Sequence, residues 1–341
     1  MSGKFRGLVL IFFITAAAAG FGLIRKSVPN PVPEEETKWS ELADRIGTPQ
    51  AYEEFKKQYA AKSFIDQHLT AHEFGQLIYR KLGVSGASVC DSSFGFGCYH
   101  GFFGLALATS GEKIIAELDR QCVAKFGELG TGCQHGIGHG LVEYYGPERL
   151  AAALAGCKST TQKNPLFGCT SGVFMEYNLP TLIGENTAES SSRQFAAAQP
   201  YGPCRDIAGD FHLSCFYELP QWWLSSMDAA RAEQLCAAVK QRDDREVCFL
   251  GLGNYLAGLK HFEIQETISA CGQLPDAGAK TFCLAGAAWA FFSMPEKRSF
   301  SAGLCSSLSA GDQKICLAKS RIICNYLDAG PAKEQCLQEK I

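Results

Sequence analysis

The side chains with the most chemical capacity in this chain are its histidines, and they are unevenly spread. Five of the seven, His68, His72, His100, His135 and His139, fall in one stretch of the sequence. His68 and His72 stand four residues apart in DQHLTAHEFGQ, and His135 and His139 stand four apart in CQHGIGHG. On a helix that spacing puts both imidazoles of a pair on one face, one turn from each other. His100 and His135 each follow a cysteine by two residues, in CYHG and CQHG, so in a repeated architecture they take equivalent places on neighbouring helices. Two histidines one turn apart with a third from an adjacent helix form a ligand set for zinc, copper or iron, because neutral imidazole offers a lone pair near pH 7. We expect His100, His135 and His139 as metal ligands, with His68 and His72 as a second pair. Glu176 in FMEY and Glu143 in VEYY, each beside tyrosine, are the carboxylates placed to act as general base or further ligand. The same histidines would equally serve a structural stack, and the same acids ordinary hydrogen bonds. Spacing leaves both readings open.

The elements that must position these residues are marked by the cysteines. There are sixteen, at 90, 98, 122, 133, 157, 169, 204, 215, 236, 248, 271, 283, 305, 316, 324 and 336, and short and long gaps alternate. Taken two at a time they make eight pairs separated by 8, 11, 12, 11, 12, 12, 11 and 12 residues. The second members from Cys98 to Cys316 recur every 33 to 36 residues, with one step of 46 where residues 186–199 are inserted. A period of this size is one helical hairpin per repeat. In each unit the first cysteine closes one helical stretch, as in EKIIAELDRQC, and the second opens the next, as in CQHGIGHGLVEYY. Bonding between neighbours would staple each hairpin at its loop, at roughly 2–3 kcal/mol per bridge by loop-closure entropy. No Cys-x-x-Cys occurs, which removes the common zinc, thioredoxin-type and c-type haem motifs.

Aligned on the second cysteine, the units read CYHG, CQHG, CTSG, CFYE, CFLG, CLAG and CLAK. Gly101, Gly136, Gly172, Gly251 and Gly286 fall where consecutive hairpins should touch, and a missing side chain allows close approach. The fourth unit departs from the pattern, with Glu218 in the glycine place, then Pro220, which should break or kink the helix, and Trp222-Trp223. Those tryptophans, with Trp289 and Phe291-Phe292, are either core or an interaction face.

Residues 7–24, GLVLIFFITAAAAGFGLI, carry no charge and are flanked by Lys4 and Arg6 before and Arg25 and Lys26 after. This is about the minimum for a membrane-spanning helix, and it also fits a signal peptide cleaved after Ala17-x-Ala19. Continuation of the apolar run past that point favours an uncleaved anchor. Residues 1–26 are thus expected to be a signal anchor or signal peptide and 27–38, rich in proline and glutamate, an extended spacer. Residues 39–66 are expected to form a capping helical region with Thr48-Pro49 at a helix start, and 67–341 the hairpin-repeat domain.

The HGFFG run at 100–104 and the HGIGHG run at 135–140 resemble the His-Gly-x-x-Gly openings of inner helices in the lanthionine-cyclase type of α/α toroid, over about ten residues. The resemblance implies hairpins curving toward a ring around a zinc site. In that family the ligands include thiolates, whereas Cys98 and Cys133 here are spaced for disulfides.

The chain is 46 % hydrophobic and 20 % charged with a formal net charge of −3, which argues against nucleic acid as a partner. Phosphate-binding loops, dinucleotide fingerprints and Gly-x-Ser-x-Gly elbows are absent from the sequence. The expectation is an all-α protein of disulfide-stapled αα-hairpins, forming a curved solenoid or incomplete α/α toroid after an N-terminal transmembrane helix, with its repeat domain outside the cytoplasm. Its function would be to bind an extracytoplasmic protein or ligand on the concave face, with a transition metal in the first repeats. A metal-dependent hydrolase or redox enzyme and a metal-free envelope scaffold are the alternatives.

Overall fold

Hairpin units need one helix buried on both sides and one lying outside it, and the chain alternates accordingly. The computed structural model describes residues 34–91, 93–127, 132–161, 166–178, 195–274, 276–293, 297–326 and 333–334. Among these residues there are fifteen α-helices and no strand, all within the compact unit Glu34–Ile341. They are α1 (Glu34–Ile46), α2 (Thr48–Tyr59), α3 (Phe64–Leu82), α4 (Gly97–Ser110), α5 (Ile115–Phe126), α6 (Gly132–Tyr145), α7 (Leu150–Cys157) and α8 (Cys169–Asn178). Then follow α9 (His212–Leu224), α10 (Ala229–Ala237), α11 (Arg242–Leu259), α12 (Ile264–Gly272), α13 (Ala277–Ser293), α14 (Ser301–Cys305) and α15 (Ala310–Ser320).

The inner row is α3, α4, α6, α8, α9, α11, α13 and α15, each packed on the next, while α5, α7, α10, α12 and α14 lie between successive members. Inner helices run parallel at very short range. A Cβ placed on Gly101 would lie 1.9 Å from the His72 carbonyl oxygen, on Gly172 1.9 Å from that of His135, on Gly251 1.9 Å from that of Tyr217 and on Gly286 1.8 Å from that of Leu250. Four of the five repeat glycines therefore meet the backbone of the preceding inner helix. Gly136 instead meets the Phe103 ring, 2.7 Å from its Cδ2. A second glycine works in the opposite direction, with Gly138 facing the Cys169 carbonyl at 2.1 Å and Gly253 that of Cys283 at 1.8 Å. Gly75 faces the Cys98 carbonyl in the same manner at 2.0 Å, so α3 is itself an inner helix of this series, with Thr70 in the cysteine's place.

Seven disulfides join neighbours as the spacing required: Cys90–Cys98, Cys122–Cys133, Cys157–Cys169, Cys204–Cys215, Cys236–Cys248, Cys271–Cys283 and Cys305–Cys316. They point to an oxidising compartment. Cys324 is also disulfide-bonded, and its expected partner Cys336 lies outside the described residues. In the later units the second cysteine sits inside its helix rather than at its start, since α11, α13 and α15 each begin about six residues earlier.

Other expectations are corrected. Helix α1 opens at Glu34, inside the segment read as an extended spacer, because glutamates favour a helix and suit its first turn. Gly47, not Thr48, is the cap of α2, and Thr48 is buried as its first residue. Helix α9 runs through Pro220 without a break. Trp222, Trp223, Trp289, Phe291 and Phe292 are all buried and form no exposed face. Phe167, Tyr217 and Trp289 pack against one another at ring separations of 4.5–5.7 Å, joining the third, fourth and sixth units. Lys333 donates to the Phe126 carbonyl at 3.2 Å, linking the end of the chain to its second unit. No helix among the described residues is long and apolar enough to cross a membrane, and the apolar run at 7–24 and the insertion at 186–194 lie outside them.

The glycine contacts generate a contrast in stability. Gly172→Ala must push apart two backbones and should lower unfolding free energy by about 1–3 kcal/mol. Gly258→Ala, in α11 with nothing near its missing Cβ, should raise it by about 0.5–1 kcal/mol through helix propensity. Denaturant unfolding of the disulfide-intact chain measures both, and equal responses would contradict the packing role.

Candidate metal centre

The short approach of α3, α4 and α6 decides where their histidines meet. In their common register His72, His100 and His135 occupy the same level of three consecutive inner helices. His68 lies one turn toward the N-terminal end of α3 and His139 one turn toward the C-terminal end of α6. The rings form one continuous cluster: His68 and His72 lie 5.0 Å and 5.4 Å from His100, and His135 and His139 lie 6.0 Å and 4.1 Å from it on its other side, centroid to centroid. His72, His100 and His139 are buried, at 0 %, 3 % and 0 % exposure, while His68 and His135 are half-buried. Two triads result, His68/His72/His100 and His100/His135/His139, each with one ring nitrogen per residue within 4.8 Å of the others, and each could hold a metal ion.

Local structure fixes the ring orientations. A left-handed turn at Phe94 (φ 54°), Gly95 (φ 62°) and Phe96 (φ 67°) precedes α4, a conformation that costs a bulky residue about 1–2 kcal/mol. It is held by the Cys90–Cys98 bridge and by the Phe94 ring against Phe55 at 5.9 Å. The turn aims the Phe94 carbonyl at His68, whose Nδ1 donates to it at 2.8 Å. At the other end α6 is tied to α5 by the Cys122–Cys133 bridge and by Gln134 Nε2, which donates to the buried Asp119 at 3.1 Å. His139 Nδ1 donates to Glu176 Oε2 at 2.8 Å, both groups fully buried. His135 Nδ1 lies 3.0 Å from Ser171 Oγ, and Ser171 donates its own proton to Glu218 Oε1 at 2.8 Å, so His135 is the donor to Ser171.

These partners leave the Nε2 lone pairs of His68, His135 and His139 turned inward whenever the rings are neutral. His135 Nε2 and His139 Nε2 then face each other at 3.0 Å, and His68 Nε2 faces His72 Nε2 at 3.1 Å. Two nitrogens bound to one tetrahedral ion at about 2.0–2.1 Å would lie roughly 3.3 Å apart. At the His135/His139 pair, where both Nδ1 atoms already donate elsewhere, the facing lone pairs repel and a positive charge between them removes the conflict; at the other pair a His72 N–H can donate to His68. Burial, aided by the neighbouring imidazoles, holds His72, His100 and His135 well below the ordinary histidine range; burial also lowers His68, against the bond to Phe94. Protons are therefore poor occupants, whereas metal ions require neutral rings.

The second sphere extends beyond the histidines. Glu218 on α9 is fully buried and its carboxyl is raised to about 7 by burial, partly offset by bonds from Tyr255 and Ser171. Tyr255 Oη lies 2.7 Å from Glu218 Oε2 and 2.8 Å from Gln221 Oε1, so the polar chain runs from His135 through Ser171 and Glu218 to half-buried Tyr255 and Gln221.

All five expected histidines are brought together. Glu176 touches His139, and Glu143 is half-buried; neither acid belongs to a triad. Motif spacing alone does not mark Ser171, Glu218 or Tyr255 as site residues. The signals for two of them are visible in the repeat alignment, where Ser171 takes the histidine's place in CTSG and Glu218 the glycine's in CFYE. Both cysteines of the short resemblance, Cys98 and Cys133, are oxidised and offer no thiolate. No protein-family model, no curated protein and no solved structure matches the chain.

The lowered histidines set a pH dependence. Below about 6.5 the unfolded chain binds protons that His68, His72, His100 and His135 refuse when folded, so these four groups make stability fall as pH drops, outweighing Glu218, whose carboxyl, raised to about 7, acts in the opposite sense. Chelator-treated protein should show a lower denaturation midpoint at about pH 5.5 than at about pH 7.5. An unchanged midpoint would mean that the rings protonate in place.

Proposed function

We propose that this chain is an exported helical-repeat protein that binds a transition-metal ion, zinc above copper or iron, among His68, His72, His100, His135 and His139. The observation that carries the reading is the three inward Nε2 lone pairs of His68, His135 and His139, each fixed by an acceptor behind the ring: the Phe94 carbonyl, the Ser171–Glu218 pair and Glu176. A proton on His139 would relieve its contact with His135 but would leave both ring nitrogens of buried His100 without a partner. A metal ion uses these groups together. An all-imidazole donor set suits zinc, copper and iron, and an acceptor behind each ligating imidazole is the usual way such a ligand is oriented.

Binding has more support than catalysis. Glu176, a candidate base, is engaged by His139 rather than free to face a reacting water, and the histidines are mostly enclosed. Residues 1–26 serve in this reading as the membrane anchor or export signal, and the repeats from residue 67 on form a curled row whose contacts between distant units, Phe167 with Trp289 and Lys333 with Phe126, favour curvature over a straight stack. A partner protein or ligand would meet the outside of that row or what remains of its concave side.

The test is elemental analysis of the full chain, produced in an oxidising compartment. Near-stoichiometric metal is expected, with loss in His135→Ala/His139→Ala. Glu176→Gln should keep the site but weaken affinity roughly 10–100-fold, as loss of an orienting acceptor does. Folded wild-type protein that takes up no metal from zinc, copper or iron solutions would overturn the proposal.

A further inference from the structure

His100 differs from His68, His135 and His139 in one respect. His68, His135 and His139 each have one ring nitrogen engaged outside the cluster, by Phe94, Ser171 and Glu176, and so offer a single nitrogen to an ion. His100 is 3 % exposed, and neither its Nδ1 nor its Nε2 has a hydrogen-bond partner among the described residues. As a ligand to one ion it would leave the opposite N–H buried and unpaired, an arrangement that native interiors avoid.

The register removes the difficulty. His100 is the one residue common to both triads, and its helix α4 stands between α3 and α6. The His68/His72 pair lies on one flank and is displaced toward the N-terminal ends of the helices. The His135/His139 pair lies on the other flank and is displaced toward their C-terminal ends. Each pair has its Nε2 atoms 3.0–3.1 Å apart, so each is a two-nitrogen clamp lacking a third donor, and His100 has two donors to give. Glycines bring both flanking helices close: Gly97 and Gly101 on α4 lie against the carbonyls of His68 and His72, where a Cβ would come within 2.6 Å and 1.9 Å, and Gly140 on α6 lies against the Phe103 carbonyl of α4, where a Cβ would come within 2.9 Å.

The geometry points to a dinuclear centre in which His100 bridges two divalent ions, one held by His68 and His72 and the other by His135 and His139. The inference rests on the metal-binding reading and deepens it. Bridging requires both nitrogens of His100 to donate electron pairs. As the second nitrogen–metal bond forms, the remaining N–H bond breaks and its proton passes to the buffer, leaving an imidazolate whose single negative charge is offset by two dications. No electron is transferred. The second spheres differ, a backbone carbonyl on one side and carboxylate and hydroxyl groups on the other, so the two ions should bind with unequal affinity.

The full chain, stripped by chelator and titrated with Cu(II) alone, reports the arrangement directly. Elemental mass spectrometry should find two copper ions per chain at saturation, and electron paramagnetic resonance should show the isolated-ion signal of the first equivalent diminishing as the second binds, because an imidazolate couples the two spins. His68→Gln/His72→Gln should take up one ion with an isolated spectrum, and His100→Ala should lose the coupling. One ion per chain in the wild type, or two with uncoupled spectra, overturns the bridge and leaves the metal-binding proposal standing. No bound ion overturns both. The wild-type measurements carry the test even if a variant fails to fold.

Discussion

The arrangement depends on how closely parallel inner helices approach one another. At four of the seven steps of the row a glycine stands where any Cβ would strike the carbonyl of the helix before it, at 1.8–1.9 Å for Gly101, Gly172, Gly251 and Gly286. Such a contact has little tolerance for sliding, because moving one helix by a residue would replace glycine with a side chain at the contact. Register is thereby set along the row without large interlocking side chains. The cysteines, three residues before those glycines, then tie each inner helix to the element preceding it through bridges with Cα atoms 5.3–5.8 Å apart. Glycine is a poor helix former, and several in one helix, as in CQHGIGHG, weaken it in isolation. The bridges offset that weakness by restricting the unfolded chain.

Against this background the buried polar groups can be accommodated. His72, His100, His139, Glu176 and Glu218 are all nearly or wholly removed from water, and most have specific partners. Partly satisfied polar clusters in a low-dielectric interior cost stability, and His100 with two unpaired nitrogens is such a case. The same burial holds His72 and His100 toward the neutral form and therefore able to coordinate. Without disulfides at nearly every unit, a cluster of this kind would make the first helices the weakest part of the fold. With them, the cost is borne by a chain whose hairpins are already closed.

What could be read from the sequence was what is local. Disulfide pairing followed from separations of 8 to 12 residues because each bridge closes a single hairpin. The two i, i+4 histidine pairs were visible for the same reason. That His72 stands level with His100 was hidden, because α3 has Thr70 where later units have cysteine, and the equivalence shows only when Gly75 is found against the Cys98 carbonyl. Tyr255 had no signal at all, since a tyrosine on an inner helix reads as core until the Glu218 carboxyl is found beside it. The aromatic contact of Phe167 with Trp289 joins rings from the third and sixth units, a long-range packing that no local motif encodes. Pro220 was misjudged for a related reason, since packing of α9 against α8 and α11 outweighs a local breaker.

The position of the cluster has a consequence for the fold as a whole. His68 and His72, His100, and His135 and His139 belong to three helices that no single disulfide joins: Cys90–Cys98 and Cys122–Cys133 each act within one unit. Between units the closest approaches are the glycine–carbonyl contacts, which set distance, and the direction comes from hydrogen bonds such as His68 to the Phe94 carbonyl and His139 to Glu176. A metal bound across α3, α4 and α6 would add a cross-link between them, and because the unfolded chain holds no such site, its binding free energy would add to stability. Disulfides within units and coordination between units are complementary constraints. The one is formed by oxidation in the exported compartment, and the other depends on the supply of ions there. The start of the repeat row is in this view the segment whose rigidity would follow its surroundings, while the later units are joined by the buried Phe167, Tyr217 and Trp289 rings and by hydrogen bonds such as those of Glu218 with Ser171 and Tyr255.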